Sequence, residues 1–166
     1  SYSVFAKFSD AEDGREQFET ELAGLRYLAE QAGMLIPTPI EIVPVPDGWV
    51  LVLEAVSEVT RAERHWRQIG QMLARIHRVK GDRFGFHLQG YFGPLSQDNQ
   101  PAGDWPTFYA ERRLTPGLKL AVDSGNLPLD VMRQVERIIL RLPELCGPQV
   151  SPILLHGDAQ QNNFIS

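Results

Sequence analysis

The chain has 166 residues, a net charge of −5 and an apolar content of 43%, which is the composition of an ordinary globular protein. The dispersed basic residues argue against nucleic acid or an anionic membrane surface as the main partner. No apolar run approaches the ~18 residues of a membrane span, and the first residues lack a signal-peptide pattern, so we expect a cytoplasmic protein. The single cysteine, Cys146, excludes an internal disulfide and a cysteine-rich metal site.

The first half of the chain carries the patterns of a small sheet and two helices. Alternating apolar residues predict three strands, at 4–8, 40–43 and 49–54. Apolar residues at helical spacing predict one helix that ends at Gly33 and a second helix from about residue 60 to 79. The last two strands flank a Pro-Asp-Gly turn, so we expect them to form a β-hairpin.

The second half is predicted to be mainly helical. The stretch 81–103 contains five glycines and no periodicity, which predicts a long surface loop. Asp104 is a candidate N-cap for a helix that runs to Leu114 and is interrupted at 115–117. Two further helical segments are predicted, up to Val122 and over 128–142. Strands with one helix, followed mainly by helices, indicate the α+β class.

Near the C-terminus, a predicted buried strand at 153–155 leads into a polar loop. Asp158, with Asn163 five residues later and His156 two residues earlier, has the H-x-D-x-x-x-x-N spacing of the kinase catalytic loop. In such a loop the acid accepts or orients the proton of an attacking hydroxyl, and the amide oxygen helps to hold Mg²⁺ on the nucleotide phosphates. The alternative is a polar turn with no chemistry.

An ATP site also needs a cation for the phosphates, which kinases supply from a strand lysine paired with a helix glutamate. Lys7 lies on the first predicted strand, and Glu21 on the following helix is its expected partner, with Glu19 as the rival. A solvated surface lysine is the alternative. The strand that ends near Glu54 would then be the hinge between lobes, where Glu54 and Val56 are candidates for binding the adenine edge.

On these residues the chain resembles the fructosamine (ketosamine) kinase family, a branch of the aminoglycoside phosphotransferase and choline kinase group. The resemblance lies in six segments: 5–8, 18–25, 73–78, 84–87, 103–114 and 155–158. The F-G-F segment, followed by D-W and F-x-x-E-R-R-L, is the part most typical of ketosamine kinases. The resemblance implies a two-lobed protein-kinase-like fold, with a nucleotide-binding lobe at 1–55 and a mainly helical lobe at 56–166.

The same resemblance implies ATP- and Mg²⁺-dependent phosphorylation of a sugar hydroxyl on a ketosamine, the adduct of a reducing sugar with an amine, and hence a role in deglycation repair. An aminoglycoside-like or other small-molecule kinase, and an inactive binding module, are the alternatives. Four residues are candidates for the acceptor pocket: Asp104, Trp105, Glu111 and Arg112. A helix cap, core packing and surface ion pairs are the competing interpretations of these four residues.

The chain departs from the family pattern inside the loop. Gln160 occupies the position where the family has a tryptophan that helps to shape the acceptor pocket, so we expect a changed pocket. The family's glycine-rich nucleotide turn would precede Lys7, and its second metal-binding aspartate would follow Ser166. We therefore expect the native polypeptide to be longer at both ends.

Overall fold

A computed structural model describes residues 3–93 and 95–166 of the chain. The chain forms two compact units, one built from the chain up to Lys80 together with Ile153–Ser166, and the other from Gly81–Pro152. This division does not test the predicted lobes, 1–55 and 56–166, which stay a prediction. None of the described helices is both long enough and apolar enough to cross a membrane.

The first unit contains an antiparallel sheet whose strands are ordered β1-β3-β2. The strands are β1 Val4–Ser9, β2 Pro39–Val45 and β3 Gly48–Glu54, which confirms the first strand and the hairpin. Lys7 on β1 pairs with Leu51 on β3. The turn between β2 and β3 requires glycine at its end, because a Cβ on Gly48 would lie 2.1 Å from the carbonyl oxygen of Ser9.

Two helices belong to this unit, α1 over Gly14–Ala32 and α2 over Glu63–Ile76, and both are predicted by apolar spacing. Helix α1 ends at Gly33, which adopts the left-handed conformation that glycine reaches without strain. One face of α1 packs on β3, since the described core consists of Phe18 and Leu22 from the helix with Leu51 and Leu53 from the strand. This packing places the helix glutamates beside the sheet that carries Lys7.

In the second unit, the stretch predicted to be a structureless loop contains a short hairpin. The described elements of this unit are β4 Gly90–Phe92, β5 Leu95–Gln97, α3 Trp105–Tyr109, α4 Thr115–Asp123, α5 Leu129–Leu140 and α6 Leu142–Leu145. Strands β4 and β5 pair with each other. Their three residues each are too few to show a strand period, so the sequence pattern could not reveal them.

The predicted interruption at 115–117 is wrong. A π-helical turn, Ala110–Leu114, joins α3 directly to α4. Pro116 has no N–H with which to bond the carbonyl four residues earlier, that of Arg112, and the Arg113 guanidinium donates to this carbonyl instead, with Nη1 at 2.9 Å. The widened turn and the side-chain donor together allow proline to stay inside the helical run.

The segment before the polar loop is not the buried strand that its composition predicts. Ile153 forms an isolated bridge with Lys80, and the N–H of Leu154 donates to the carbonyl of Val79 at 2.9 Å. Ile153 and Leu155 keep 41% and 52% of their surface exposed. The run of apolar residues therefore predicts the extended backbone correctly. Among the described residues, it wrongly predicts a buried strand with regular pairing.

Candidate active site

The polar loop brings Asp158 and Asn163 into direct contact. The amide nitrogen of Asn163 donates to Asp158 Oδ2 at 2.7 Å and to the Asp158 carbonyl at 2.9 Å. A short 3₁₀ turn, Gln161–Asn163, closes the loop and carries Asn163 back towards the acid. Gly157, at φ 89°, provides the positive φ with which the chain enters this turn. The five-residue spacing thus produces the side-chain pair that the motif predicts.

Gln160 also contacts the acid, since its amide nitrogen donates to Asp158 Oδ2 at 3.2 Å. Two amides therefore share Oδ2, while the described hydrogen bonds leave Oδ1 of Asp158 without a protein donor. Asp158, Gln160 and Asn163 are all exposed. An exposed carboxylate oxygen with its partner oxygen already bonded is suited to accept a proton from a bound hydroxyl.

His156 lies behind this loop. Its ring packs against the buried Phe164 with 5.0 Å between ring centroids, and its Nδ1 accepts a long hydrogen bond of 3.4 Å from the N–H of Asp158. Burial lowers the pKa of His156 below its usual value of 6.5, and the Asp158 carboxylate partly opposes this. An accepting Nδ1 requires the neutral ring, and the predicted role of His156 as a support for the catalytic loop stays a prediction.

Lys7 and Glu21 form the predicted ion pair, with Nζ and Oε2 2.5 Å apart. The rival partner is occupied elsewhere, because Glu19 accepts from Nε of Arg15 at 2.8 Å. The Lys7 ammonium also lies 5.9 Å from the centroid of the Phe18 ring, which belongs to the core. Two contacts therefore hold a half-exposed cation in place, although the phosphate-binding role of Lys7 stays a prediction.

Glu54 and Val56, the predicted adenine-binding residues, mark the end of the sheet. Glu54 is the last residue of β3, and its N–H donates to the carbonyl of Thr38 at 2.9 Å. Val56 follows outside the strand and is 47% exposed. Both their place in a hinge between lobes and their contact with a nucleotide stay predictions.

The predicted acceptor-pocket residues lie in the second unit, where the structure records packing contacts for them. Asp104 caps α3, accepting from the N–H of Thr107 at 2.8 Å and from its hydroxyl at 3.0 Å. Trp105 packs against three aromatic rings, those of Phe84, Phe108 and Tyr109. Asp104 therefore caps a helix, and Trp105 packs in a cluster of aromatic rings. For both residues, a contact with substrate stays a prediction.

Glu111 and Arg112 form part of a small charged network. Arg112 binds Asp98 through Nη1 at 3.0 Å and lies 3.9 Å from Glu111. Its Nε is buried and has no hydrogen-bond partner among the described residues. The neighbouring Arg113 binds the carbonyl of Asp98 at 2.8 Å and stacks 4.7 Å from the Phe108 ring. Burial lowers the pKa of Arg113 and the Asp98 carboxylate raises it.

The structure thus forms the two pairs that the sequence predicts, Lys7 with Glu21 and Asp158 with Asn163. No hydrogen bond or ion pair between described residues links one pair to the other. A contact that the sequence did not indicate comes from Arg61, whose guanidinium binds the segment 161–166, which includes Asn163. Its partners are about a hundred positions away in the chain, and no local pattern reports such a contact.

The oxygen atoms of the loop fit a magnesium ion only in part. Asn163 uses its amide nitrogen towards Asp158, so its Oδ1 is the atom available to a cation. No group of three or more His, Cys, Asp or Glu side chains among the described residues could hold a metal. Mg²⁺ is usually held by one or two protein oxygens together with phosphates and water, so Oδ1 of Asn163 would supply one such oxygen, and its role as a metal ligand stays a prediction.

Comparison with known proteins gives concordant matches. A family model described as fructosamine kinase matches residues 1–166. Mouse ketosamine-3-kinase is 25% identical over 96% of the chain and 60% of its own length, and the chloroplastic protein-ribulosamine 3-kinase of Arabidopsis thaliana is 29% identical over 91% and 47%. A crystal structure from Thermobifida fusca, assigned as a fructosamine-3-kinase, superposes with a TM-score of 0.83 at 32% identity, covering 99% of the chain and 57% of that structure. The chain therefore spans roughly half the length of these relatives.

Proposed function

Because the chain belongs to the fructosamine kinase family, we propose that it carries the nucleotide-binding and catalytic residues of a kinase that phosphorylates a sugar hydroxyl of ketosamines with ATP. The observation that carries this proposal is the hydrogen-bonded pair of Asp158 and Asn163, with 2.7 Å between Oδ2 and Nδ2. The short ion pair of Lys7 with Glu21 supports it. We further propose a cytoplasmic role in metabolite or protein deglycation repair.

In the proposed reaction, Asp158 orients the acceptor hydroxyl through its unbonded carboxylate oxygen. The hydroxyl oxygen attacks the γ-phosphorus of ATP, the bond from that phosphorus to the bridging oxygen of ADP breaks, and the hydroxyl proton passes to Asp158. Lys7 holds the nucleotide phosphates with its ammonium, and Glu21 keeps that ammonium on the sheet. These roles use positioning and charge, which supply most of the catalysis in phosphoryl transfer.

Asn163 has two roles in this proposal. Its nitrogen fixes the Asp158 carboxylate, while Oδ1 would be a ligand for Mg²⁺. When bound, the ion would neutralise charge on the transferring phosphoryl group.

The decisive experiment is Asp158→Asn in the full-length protein. Turnover of ribulosamines or fructosamines should fall by about 10²–10⁴-fold, because the proton acceptor is removed, while ATP binding stays nearly unchanged. Asp123→Asn, an exposed residue at the end of α4, is the matched control and should keep full activity. Wild-type protein that binds ATP but phosphorylates no acceptor would favour the inactive binding module.

A second candidate function is a kinase for another small molecule, such as an aminoglycoside. Gln160 favours it, because this amide contacts Asp158 at 3.2 Å where the family has a tryptophan near the acceptor. A panel of ribulosamines, fructosamines, aminoglycosides and choline separates the two functions. Turnover of aminoglycosides alone would refute the ketosamine assignment.

A further inference from the structure

Arg61 holds the end of the catalytic loop and the residues that follow it. Its guanidinium donates to the carbonyl of Gln161 from Nη1 at 3.0 Å, to the carbonyl of Phe164 from Nη2 at 2.5 Å, and to the Ser166 hydroxyl from Nε at 3.2 Å. All three guanidinium nitrogens are therefore engaged with one stretch of six residues. Only a planar fork of donors can make such a set of contacts from one side chain.

The arginine itself is held in place by the start of α2. Its guanidinium lies 4.8 Å from the centroid of the Trp66 ring, a cation–π distance. His65 is buried with 9% exposure, and its Nδ1 accepts from the N–H of Ala62 at 2.9 Å. The residue next to Arg61 is thus fixed at the helix end, so the arginine has a rigid base.

A backbone contact beside Arg61 reinforces the attachment. The N–H of Val59 donates to the carbonyl of Ser166 at 2.6 Å, and Phe164 is buried with 6% exposure. The segment 161–166 is consequently attached at four atoms to residues 59–61, in addition to the burial of one aromatic ring.

The two carbonyls that Arg61 binds, those of Gln161 and Phe164, lie on either side of Asn163. Fixing the backbone at Gln161 and Phe164 fixes the direction in which the Asn163 side chain points. Asn163 in turn donates both of its amide hydrogen bonds to Asp158. The chain of contacts therefore runs from a rigid helix end, through one guanidinium and one short turn, to the acid.

We propose that Arg61 is a positioning residue for phosphoryl transfer, which orients Asp158 and Asn163 without touching either of them. The inference rests on the proposed function of the loop. A positional error of about 1 Å at such groups can cost on the order of 100-fold in rate, so the loss of the guanidinium fork should appear in turnover. Substrate binding should change little, because the recorded contacts of Arg61 are with two backbone carbonyls, the Ser166 hydroxyl and the Trp66 ring, and none of them is a predicted substrate residue.

The test compares Arg61→Lys with Arg67→Lys in the full-length protein. Arg67 lies on α2, which begins two residues after Arg61, and its one ion pair among the described residues is an exposed contact with Glu63 at 2.7 Å. For Arg61→Lys we expect kcat to fall by about 10- to 100-fold with the ketosamine KM changed less than about twofold, and faster amide hydrogen exchange confined to 159–166. Arg67→Lys should match the wild type in both measurements.

Two kinds of result would overturn the proposal, and a third would separate it from the proposed function. Unchanged kcat or unchanged exchange in Arg61→Lys would show that the fork positions nothing. A loss of protection that extends through α1 and the sheet, or failure to fold, would make Arg61 a residue of general stability. If the wild type phosphorylates no ketosamine while exchange still rises only at 159–166, the proposed function fails and the attachment by Arg61 stands.

Discussion

At the scale of single residues, the ion pair of Lys7 and Glu21 should contribute little to folding stability but more to function. The two side chains keep 48% and 35% of their surface exposed, and exposed ion pairs contribute only about 0–1 kcal/mol to stability. The short contact can nevertheless fix where the ammonium lies. We therefore expect the pair to matter for nucleotide use far more than for folding.

Neutralising Glu21 should loosen the lysine without unfolding the protein. Lys7→Ala would remove a charged hydrogen bond to phosphate, worth about 1.5–3 kcal/mol, and should raise the KM for ATP by roughly 10- to 100-fold. Glu21→Gln only loosens the ammonium, so it should raise this KM by up to about fivefold, the equivalent of an exposed ion pair. Steady-state kinetics with varied ATP measure this. Glu19→Gln is the control, because Glu19 pairs with Arg15; an equal effect in that variant would contradict the assignment of Glu21.

His156 should make the folded state sensitive to acid. Its pKa is lowered by burial in the folded protein from an ordinary value of 6.5. Above that value the ring is neutral in both states, and its contribution to stability is fully present. As the pH falls from about 6.5 towards the lower folded pKa, the unfolded state gains the proton first, so stability is lost.

Substitution of His156 should remove this part of the pH dependence. We expect His156→Asn to lose less melting temperature than the wild type between about pH 7.5 and about pH 5.5, as measured by thermal denaturation monitored by circular dichroism. His77→Asn, at an exposed position just after α2, should follow the wild-type curve. Parallel curves for His156→Asn and the wild type would show that the ring does not resist protonation.

At the scale of elements, α1 offers two glycines with opposite requirements. Gly33 ends the helix at φ 64°, and its N–H donates to the carbonyl of Ala29 at 3.0 Å. Gly24 lies inside the helix, where an added Cβ would meet no atom within 4 Å. The first glycine is needed for its conformation, whereas the second only adds backbone entropy to the unfolded chain.

The two alanine variants should therefore shift stability in opposite directions. Gly33→Ala should lower the free energy of unfolding by about 1–2 kcal/mol, the cost of a left-handed conformation with a Cβ. Gly24→Ala should raise it by about 0.5–1 kcal/mol. Urea denaturation of both proteins measures the difference, and a loss in Gly24→Ala would show that this position packs more tightly than its open surroundings indicate.

At the scale of the whole molecule, ligand binding should appear as stability. A ligand at 100 times its Kd stabilises the folded state by about 2.7 kcal/mol, so ATP with Mg²⁺ should raise the melting temperature, and removal of the metal with EDTA should lower it again. Asn163→Ala should lose most of the Mg²⁺-dependent part. Asn126→Ala, in an exposed turn, should keep it; an unchanged Mg²⁺ response in Asn163→Ala would remove Asn163 from the metal site.

Much of the fold could be predicted from local pattern. The strand at Val4–Ser9, the hairpin and α1 follow from alternation, turn residues and helical spacing, because each pattern reports a face buried over several consecutive residues. The strands β4 and β5 are too short to carry a period. The helix through Pro116 was missed because a side chain, Arg113, replaces the donor that proline lacks.

The candidate site, like the fold, could be predicted from the sequence only in part. The sequence by itself determined the family, the catalytic-loop spacing of Asp158 and Asn163, and the order in which Lys7 and Glu21 precede them, because spacing within one turn or one helix is a local property. Only the tertiary structure decided that Glu21 rather than Glu19 meets Lys7, that Gln160 bonds the acid, and that Arg61 holds the loop from about a hundred residues away. Such contacts depend on which surfaces the packed core brings together, and no local spacing encodes that.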